Sequence, residues 1–112
     1  MLNVTFRRDS RQRLSSVFAE GHIELPETSS DEFSLVCAAV SGILQAARLG
    51  LEAHVKIPLD ATQSPGTLSL RWAAGCRDDE RVSAIVDTAR LAIEQIASQY
   101  PQAVRCAEET EP

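Results

Sequence analysis

Aromatic residues are scarce in this sequence, and cysteines are few. Three Phe, one Trp and one Tyr make up 4% of the 112 residues. So few rings argue against a base-stacking surface of the kind that binds single-stranded nucleic acid. The net charge of −5 points the same way, because nucleic-acid-binding surfaces are normally basic. The three cysteines form no Cys-x-x-Cys pair, so neither a disulfide framework nor a zinc site is indicated. We therefore expect no cofactor, no metal and no direct nucleic-acid contact.

Long apolar runs are also missing from the sequence. The segment from Met1 to Arg8 alternates in polarity instead of forming the apolar core of a signal peptide. No apolar run approaches the roughly 20 residues that span a membrane. These absences, together with the free thiols, predict a soluble cytoplasmic protein with no membrane partner. The length fits one domain, predicted over 1–107, followed by a frayed acidic tail over 108–112.

The first third of the chain has the pattern of a β-hairpin followed by a loop. Leu2, Val4 and Phe6 alternate with polar residues, which is typical of a half-buried strand. A second strand is predicted over 14–20 after a short polar connection, so the two strands form an antiparallel hairpin. The segment 23–33 is predicted to be a loop.

The most apolar stretch of the sequence predicts a central helix over 35–49. Ser34 directly precedes it and is the predicted N-cap, which places Cys37 at about the third helical position. A cap at Ser30 or Asp31 is the competing interpretation, and it moves Cys37 into the second turn. The helix is apolar on almost every side, which predicts packing on more than one side. Gly50 is the predicted terminator.

The second half of the sequence predicts two strands and a helix. We expect a third strand over 53–57, a turn over 60–66, a fourth strand over 68–72, and an amphipathic helix over 80–100. Val104 opens a possible short last strand. The predicted fold is therefore α+β with the order ββαββα, or ββαββαβ if Val104 opens a short final strand. Its sheet is mixed or antiparallel, and the amphipathic helix covers one face.

Cys37 and His22 are the residues that suggest chemistry. A thiol at a helix start is biased toward thiolate by the helix dipole, and an imidazole on a preceding strand can serve as base and then acid. This pair is the minimum equipment for cysteine-based acyl transfer. Taken alone, a cysteine in this position is more often a small core residue. Cys76, Cys106 and His54 lack such surroundings and are expected to be spectators.

A resemblance to a known family favours the catalytic interpretation. Gly21-His22, a loop of about a dozen residues and then the run from Val36 to Ser41, with the letters VCAAVS, are together similar to the signature of the ribosomal-processing cysteine protease family, Prp. The resemblance covers nearly the whole chain. It implies a small cytoplasmic homodimer with a Cys-His dyad. Such a protein removes the N-terminal extension of a large-subunit ribosomal protein during ribosome assembly.

The resemblance also implies a role for each matching residue. His22 is the general base and acid, and Cys37 is the nucleophile. Gly21 is the backbone position that lets His22 lie close to the helix start, and Ser41 matches a family serine one turn past the cysteine. Ser34 stands where the family usually has Asp, and it caps a helix about as well. Backbone amides around Cys37, in the predicted first turn, are the expected oxyanion donors.

Two departures from the family pattern keep a second interpretation open. The charge of the family's Asp is lost at Ser34, and the loop after His22 is longer and lacks glycine, containing Pro26 instead. The alternative is a catalytically weakened relative that acts as a dimeric binding module for a ribosomal protein or an assembly factor.

Overall fold

Five strands and two α-helices form the part of the protein that the structure describes. The computed structural model describes residues 1–21 and 31–112, and only the backbone for 31–34. The elements are β1 (Leu2–Arg8), β2 (Leu14–Glu20), α1 (Asp31–Leu49), β3 (Leu59–Ser64), β4 (Thr67–Trp72), α2 (Glu80–Gln99) and β5 (Val104–Thr110). The order ββαββαβ confirms the predicted α+β fold and its possible final strand.

The strands form one mixed sheet in the order β3-β4-β2-β1-β5. β1 lies antiparallel to β2 and parallel to β5, and β4 is antiparallel to both β2 and β3. The alternating residues predicted for β1 are the buried ones, because successive side chains of a strand point to opposite faces. The same face of β4 contributes Leu68, Leu70 and Trp72.

Both helices contribute apolar side chains to the core built on this face. α2 contributes Val82, Val86 and Ile93, which follow the helical repeat that the sequence shows. Trp72 is fully buried there, and its Nε1 donates to the Leu14 carbonyl at 2.9 Å.

The predicted third strand over 53–57 was wrong. Gly50–Val55 instead continues α1 as a π-helical segment that ends at Lys56, whose φ of 60° is left-handed. Leu51 and Val55 are both buried, and their four-residue spacing suits a helix as well as it suits the period-2 pattern. Gly50 therefore does not terminate the helical backbone, which continues to Val55. A Cβ at Gly50 would lie 3.1 Å from the Ile85 side chain of α2. The glycine thus allows close packing between the helices.

The turn predicted over 60–66 was also wrong. Most of it is β3, an edge strand whose residues are exposed or half-buried, and Gly66 with φ of 82° lies in the turn to β4. A strand at a sheet edge needs little apolar surface, so its composition resembled that of a loop.

The predicted frayed tail after residue 107 was wrong as well. β5 continues through Thr110, which pairs with Arg8 of β1. Glu111 Oε1 accepts a hydrogen bond from Ser15 Oγ at 3.0 Å and forms an ion pair with Arg71. The acidic side chains are therefore held by basic and hydroxyl groups of the neighbouring strands.

α1 begins at Asp31, four residues before the predicted start at residue 35, so Ser34 lies within its first turn and does not cap it. Asp and Ser are both good caps, and the sequence offered both. The inner side of α1 buries Val36, Val40 and Leu44. Its outer side is open within one chain, where Leu35 is 69% and Leu49 is 63% exposed. The prediction that this helix packs on more than one side was wrong for the single chain.

The expectation that no apolar stretch approaches membrane-spanning length also needs correction. Within the described residues, one helical stretch, Leu35–Val55, is long and apolar enough to cross a membrane by length and composition alone. Core helices of soluble proteins pass the same test, and the inner side of this stretch packs on the sheet.

Candidate active site

A pocket of about 330 Å³ lies where α1 crosses one end of the sheet. β1 begins at this end, and β2 ends there. The lining residues that matter for chemistry come from three places: Gly21 after β2, Cys37, Ser41 and Gln45 on α1, and Gln63 and Ser64 on β3. The fold therefore brings together three of the sequence-predicted site residues, Gly21, Cys37 and Ser41, although Gly21 and Cys37 are sixteen positions apart in the sequence.

Cys37 is half-buried against the core and lines the pocket. Because α1 starts at Asp31, Cys37 is its seventh residue and lies in the second turn. Backbone amides beyond the first turn donate to carbonyls within the helix. The prediction that amides around Cys37 are free oxyanion donors was therefore wrong. The helix dipole also acts less strongly on this thiol than the predicted position implied.

Gly21 occupies a backbone position that only glycine accommodates. Its φ is 129°, and a Cβ at this position would lie 2.2 Å from the Met1 carbonyl oxygen. Its amide donates to the Gly66 carbonyl at 3.0 Å. Gly21 thus packs the end of β2 against the start of β1 and the β3–β4 turn. His22 follows directly in the sequence and lies outside the described residues, as does most of the predicted loop that follows it.

The two predicted supporting serines lie in different places on α1. Ser41 is one turn past Cys37, is exposed and lines the pocket, as the spacing of four predicts. Ser34 lies one turn before Cys37, and its side chain is outside the described part of the structure.

Cys76, Cys106 and His54 lie away from this pocket's lining. Cys76 ends a short 3₁₀ turn, and His54 is exposed on the π-helical segment. Cys106 is half-buried in β5. Burial, reinforced by the negative charges of Glu94 and Glu108, raises the pKa of the Cys106 thiol to about 11. At neutral pH this thiol is protonated and is a poor nucleophile.

Sequence reasoning missed the polar part of the pocket. Gln45 Nε2 and Arg48 Nη1 both donate to Gln63 Oε1, each at 3.1 Å. Gln63 was assigned to a turn, so nothing in the sequence connected it with α1. The spacing of eight between Cys37 and Gln45, two helical turns, was the available signal.

Comparison with known proteins identifies the relatives of this chain. The family model described as "Cysteine protease Prp" matches residues 1–105. SMU.848 from Streptococcus mutans has a similar fold, with a TM-score of 0.86, 24% identity and 99% of each chain covered. The ribosomal processing protease Prp from S. aureus, solved with a substrate peptide, gives a TM-score of 0.82 at 18% identity over 97% of this chain and 100% of its own. The same protease has also been solved with a covalently linked product peptide.

No functionally curated protein matches the chain. The structural similarities lie below 25% identity and by themselves establish the shared fold. The family model matches residues 1–105, which is nearly the whole sequence. The matched range includes every residue that lines the pocket. The chain thus belongs to the Prp family of cysteine proteases.

Proposed function

We propose that this protein is a cytoplasmic ribosomal-processing endopeptidase that uses Cys37 and His22 as a dyad. Its proposed substrate is the N-terminal extension of a large-subunit ribosomal protein. The observation that carries the proposal is the shared pocket of Cys37 and Gly21, since Gly21 is the residue directly before His22. The S. aureus relative, named a ribosomal processing protease and bound to a substrate peptide, supports the substrate class.

The proposed reaction follows the chemistry of a thiol and an imidazole. The Cys37 sulfur, deprotonated by His22, attacks the carbonyl carbon of the scissile peptide bond. His22 then donates that proton to the nitrogen as the carbon–nitrogen bond breaks, releasing the amine product and leaving a thioester on Cys37. A water molecule, losing a proton to His22, hydrolyses the thioester and releases the acid product. The proton returns to the sulfur, and the thiol is restored.

A direct test uses a peptide that matches the N-terminal segment of the host's large-subunit ribosomal protein. The wild-type chain should cleave it once, at an internal bond, as detected by mass spectrometry. Cys37→Ser keeps the size of the side chain but replaces a strong nucleophile with a weak one, and it should abolish cleavage. Cys76→Ser, a matched change at a half-buried thiol outside the pocket lining, should leave cleavage intact. Cleavage by purified Cys37→Ser protein would overturn the mechanism.

The alternative is a binding module that keeps the fold without cutting. The position of Cys37 in the second turn of α1 favours it, because the first-turn amides that would stabilise a thiolate are a turn away. Under this alternative the wild-type protein binds the same peptide with an affinity equal to that of Cys37→Ser and releases it intact.

We propose further that the protein is a homodimer formed through the outer side of α1. Leu35 and Leu49 are largely exposed, and the helix surface between them consists mostly of small residues. Small side chains let two helices approach closely. The row of small residues has an exposed leucine at each end, so the same surface on two copies can pair across a two-fold axis. The exposed small residues of this stripe are Ala38, Ala39, Gly42 and Ala46.

The mass of the protein in solution tests the dimer. Leu49→Glu places a charge in the proposed interface and should convert the dimer to a monomer with an unchanged circular dichroism spectrum. Leu91→Glu, a matched change at a leucine that is 56% exposed on α2, should leave the dimer intact. A wild-type chain that is monomeric at high micromolar concentration in light scattering would refute this interface.

A further inference from the structure

The outer edge of β5 is an open strand edge. β5 is the last strand of the sheet, and within the described residues no strand pairs with its outer side. Proteins usually block such an edge with a β-bulge, a proline or charged side chains, lysine above all. β5 pairs with β1 in an unbroken register, contains no proline or lysine, and carries charges of both signs. Its outer edge is therefore able to accept another strand.

Alternate residues of β5 direct their backbone groups to this open edge. At the two ends of the ladder with β1, the Leu2 amide donates to the Ala103 carbonyl at 2.9 Å, and the Glu111 amide donates to the Arg8 carbonyl at 2.7 Å. Because the backbone groups of successive strand residues point to opposite edges, the odd-numbered residues of β5 bond to β1. The residues whose amides and carbonyls face outward are Val104, Cys106, Glu108 and Thr110.

The side chains of β5 complement those of the same strand in reverse. Ala107 is the middle residue of the seven in β5. In an antiparallel pair of two copies centred on Ala107, Arg105 lies opposite Glu109 of the second copy, and Glu109 lies opposite Arg105 of that copy. Both pairs lie on the face of the sheet that also carries Thr5 of β1, away from the core. The small side chain of Ala107 leaves room at the centre, where opposite Cα atoms are about 4.5 Å apart.

The two charges of this pair are available to a second copy. Arg105 is exposed and forms no ion pair within the described part of the chain. Glu109 Oε2 lies 3.3 Å from Arg7 Nε, but these side chains are 57% and 50% exposed, so their attraction is weak. Opposite charges directly across an antiparallel pair stabilise it, and like charges destabilise it.

The neighbouring registers fit less well. Outward backbone groups meet only when even-numbered residues lie opposite even-numbered residues, so the centre moves one residue at a time while the register moves by two. A centre at Cys106 places Arg105 opposite Ala107, which leaves its charge unmatched. A centre at Glu108 places two carboxylates together. The centre at Ala107 pairs every residue of β5, and it leaves Glu108 beside its own partner Arg8, 3.0 Å away.

We propose that β5 pairs antiparallel with β5 of a second copy of this chain and joins their sheets across a two-fold axis at Ala107. This surface is separate from the outer side of α1 and from the Cys37 pocket, which no residue of β5 lines. An interface of one strand is small, so it forms at concentrations above those that form the dimer through α1. Both interfaces together join dimers into larger assemblies.

Amide hydrogen exchange, measured by NMR on the wild-type chain, tests this pairing. In dilute protein the amides of Arg105, Ala107 and Glu109, which bond to β1, should exchange slowly, and those of Cys106 and Glu108 should exchange fast. At about 1 mM protein, the amides of Cys106 and Glu108 should exchange about fivefold more slowly, because about four-fifths of the edges are then paired. Exchange of these two amides that does not change with concentration would overturn the inference.

Charge variants test the register. Arg105→Glu places like charges opposite one another on both sides of the axis and should remove the concentration-dependent slowing. Adding Glu109→Arg exchanges the two charges and should restore it. Arg11→Glu, the same change at an exposed arginine between β1 and β2, should leave the slowing as in the wild type. Slowing that persists in Arg105→Glu, or that the double variant fails to restore while its β1-bonded amides stay protected, would refute the centre at Ala107.

A proline variant tests the backbone ladder. Glu108→Pro removes an outward N–H and no bond to β1, and proline is tolerated in this way on edge strands. It should abolish the slowing at Cys106, whereas Glu108→Ala, which also loses the ion pair with Arg8 but keeps the N–H, should retain it. Slowing that survives in Glu108→Pro would refute the ladder. Leu49→Glu should leave the slowing intact, so the dimer through α1 and the β5 pair are tested separately.

Discussion

Asp9 Oδ2 accepts a hydrogen bond from Arg77 Nη1 at 3.0 Å, and the two side chains are only 9% and 8% exposed. Asp9 Oδ2 also accepts from Arg13 Nε at 3.1 Å, while Oδ1 accepts from the amides of Arg11 and Arg13. This one carboxylate joins the β1–β2 hairpin to the segment before α2.

The stability of the fold should therefore fall in acid. Burial alone raises the pKa of Asp9, but the Arg13 amide, the Arg77 guanidinium and the Arg11 amide outweigh it and hold the pKa at about 2, below the ordinary 3.8. A carboxyl group with a lowered folded-state pKa stabilises the fold fully above its unfolded pKa and loses this effect as the pH falls toward the folded value. Urea unfolding midpoints should decline between about pH 4 and pH 2.

Asp9→Asn should remove most of this acid dependence and lower the midpoint at pH 7, because two guanidinium groups lose their buried counter-charge. Glu20→Gln, a change at an exposed position, should leave both unchanged. A midpoint in Asp9→Asn equal to that of the wild type at pH 7 would show that the cluster adds no stability.

Gly21→Ala should destabilise the pocket end of the sheet. The new Cβ would lie 2.2 Å from the Met1 carbonyl oxygen at a φ of 129°, so the backbone must shift. We expect a loss of at least about 1–3 kcal/mol in the free energy of unfolding, together with a loss of peptide cleavage. Gly75→Ala is the matched control, since nothing lies within 4 Å of its Cβ position, and it should be nearly neutral. Equal stability of the two variants would contradict the close-packing interpretation.

The three thiols should differ in their reaction with iodoacetamide. Cys106, with its pKa raised to about 11, should be modified slowly at pH 7.5, and its rate should rise about tenfold for each pH unit up to that pKa. Peptide mapping by mass spectrometry at several pH values measures this. Fast modification of Cys106 at neutral pH in the folded protein would contradict the burial of its sulfur.

His22→Ala should slow the alkylation of Cys37 near pH 7, because a thiolate would lose its imidazole partner. Cys76 should react at the same rate in the wild type and in His22→Ala, which makes it an internal control in the same digest. An unchanged rate of Cys37 alkylation in His22→Ala would show that His22 does not act on the thiol and would contradict the proposed dyad.

Sequence periodicity predicted the elements that bury one regular face. β1, β4 and α2 do so, and each was located correctly. β2 has buried residues on both faces, and it was located by the short polar connection that follows β1. The prediction of a strand over 53–57 failed because this segment has alternating polarity, which fits a strand. Its buried residue Val55 is instead spaced four positions from the buried Leu51, as in a helix. The polar edge strand β3 was not predicted because its side chains are exposed or half-buried, so its sequence shows no alternation of apolar and polar residues.

The site was predictable to the extent that its motif is local. The pairing of Cys37 with the Gly21 end of β2 was predicted from a resemblance, and the shared pocket agrees with it. The helix start was ambiguous because Ser30, Asp31 and Ser34 are all suitable caps. The Gln45–Gln63 pair depends on the packing of α1 against β3, which no local pattern records.

The parallel pairing of β5 with β1 has a consequence for when the protein can fold during synthesis. Leu2 lines the Cys37 pocket, yet the strand that carries it becomes an interior strand only when Val104–Thr110 pairs along it. While the ribosome is still translating α2, β1 has an open edge, and its early residues lack half of their backbone partners. We therefore expect the Leu2 end of the pocket wall to gain its final order only when the segment up to Thr110 is available to pair with β1.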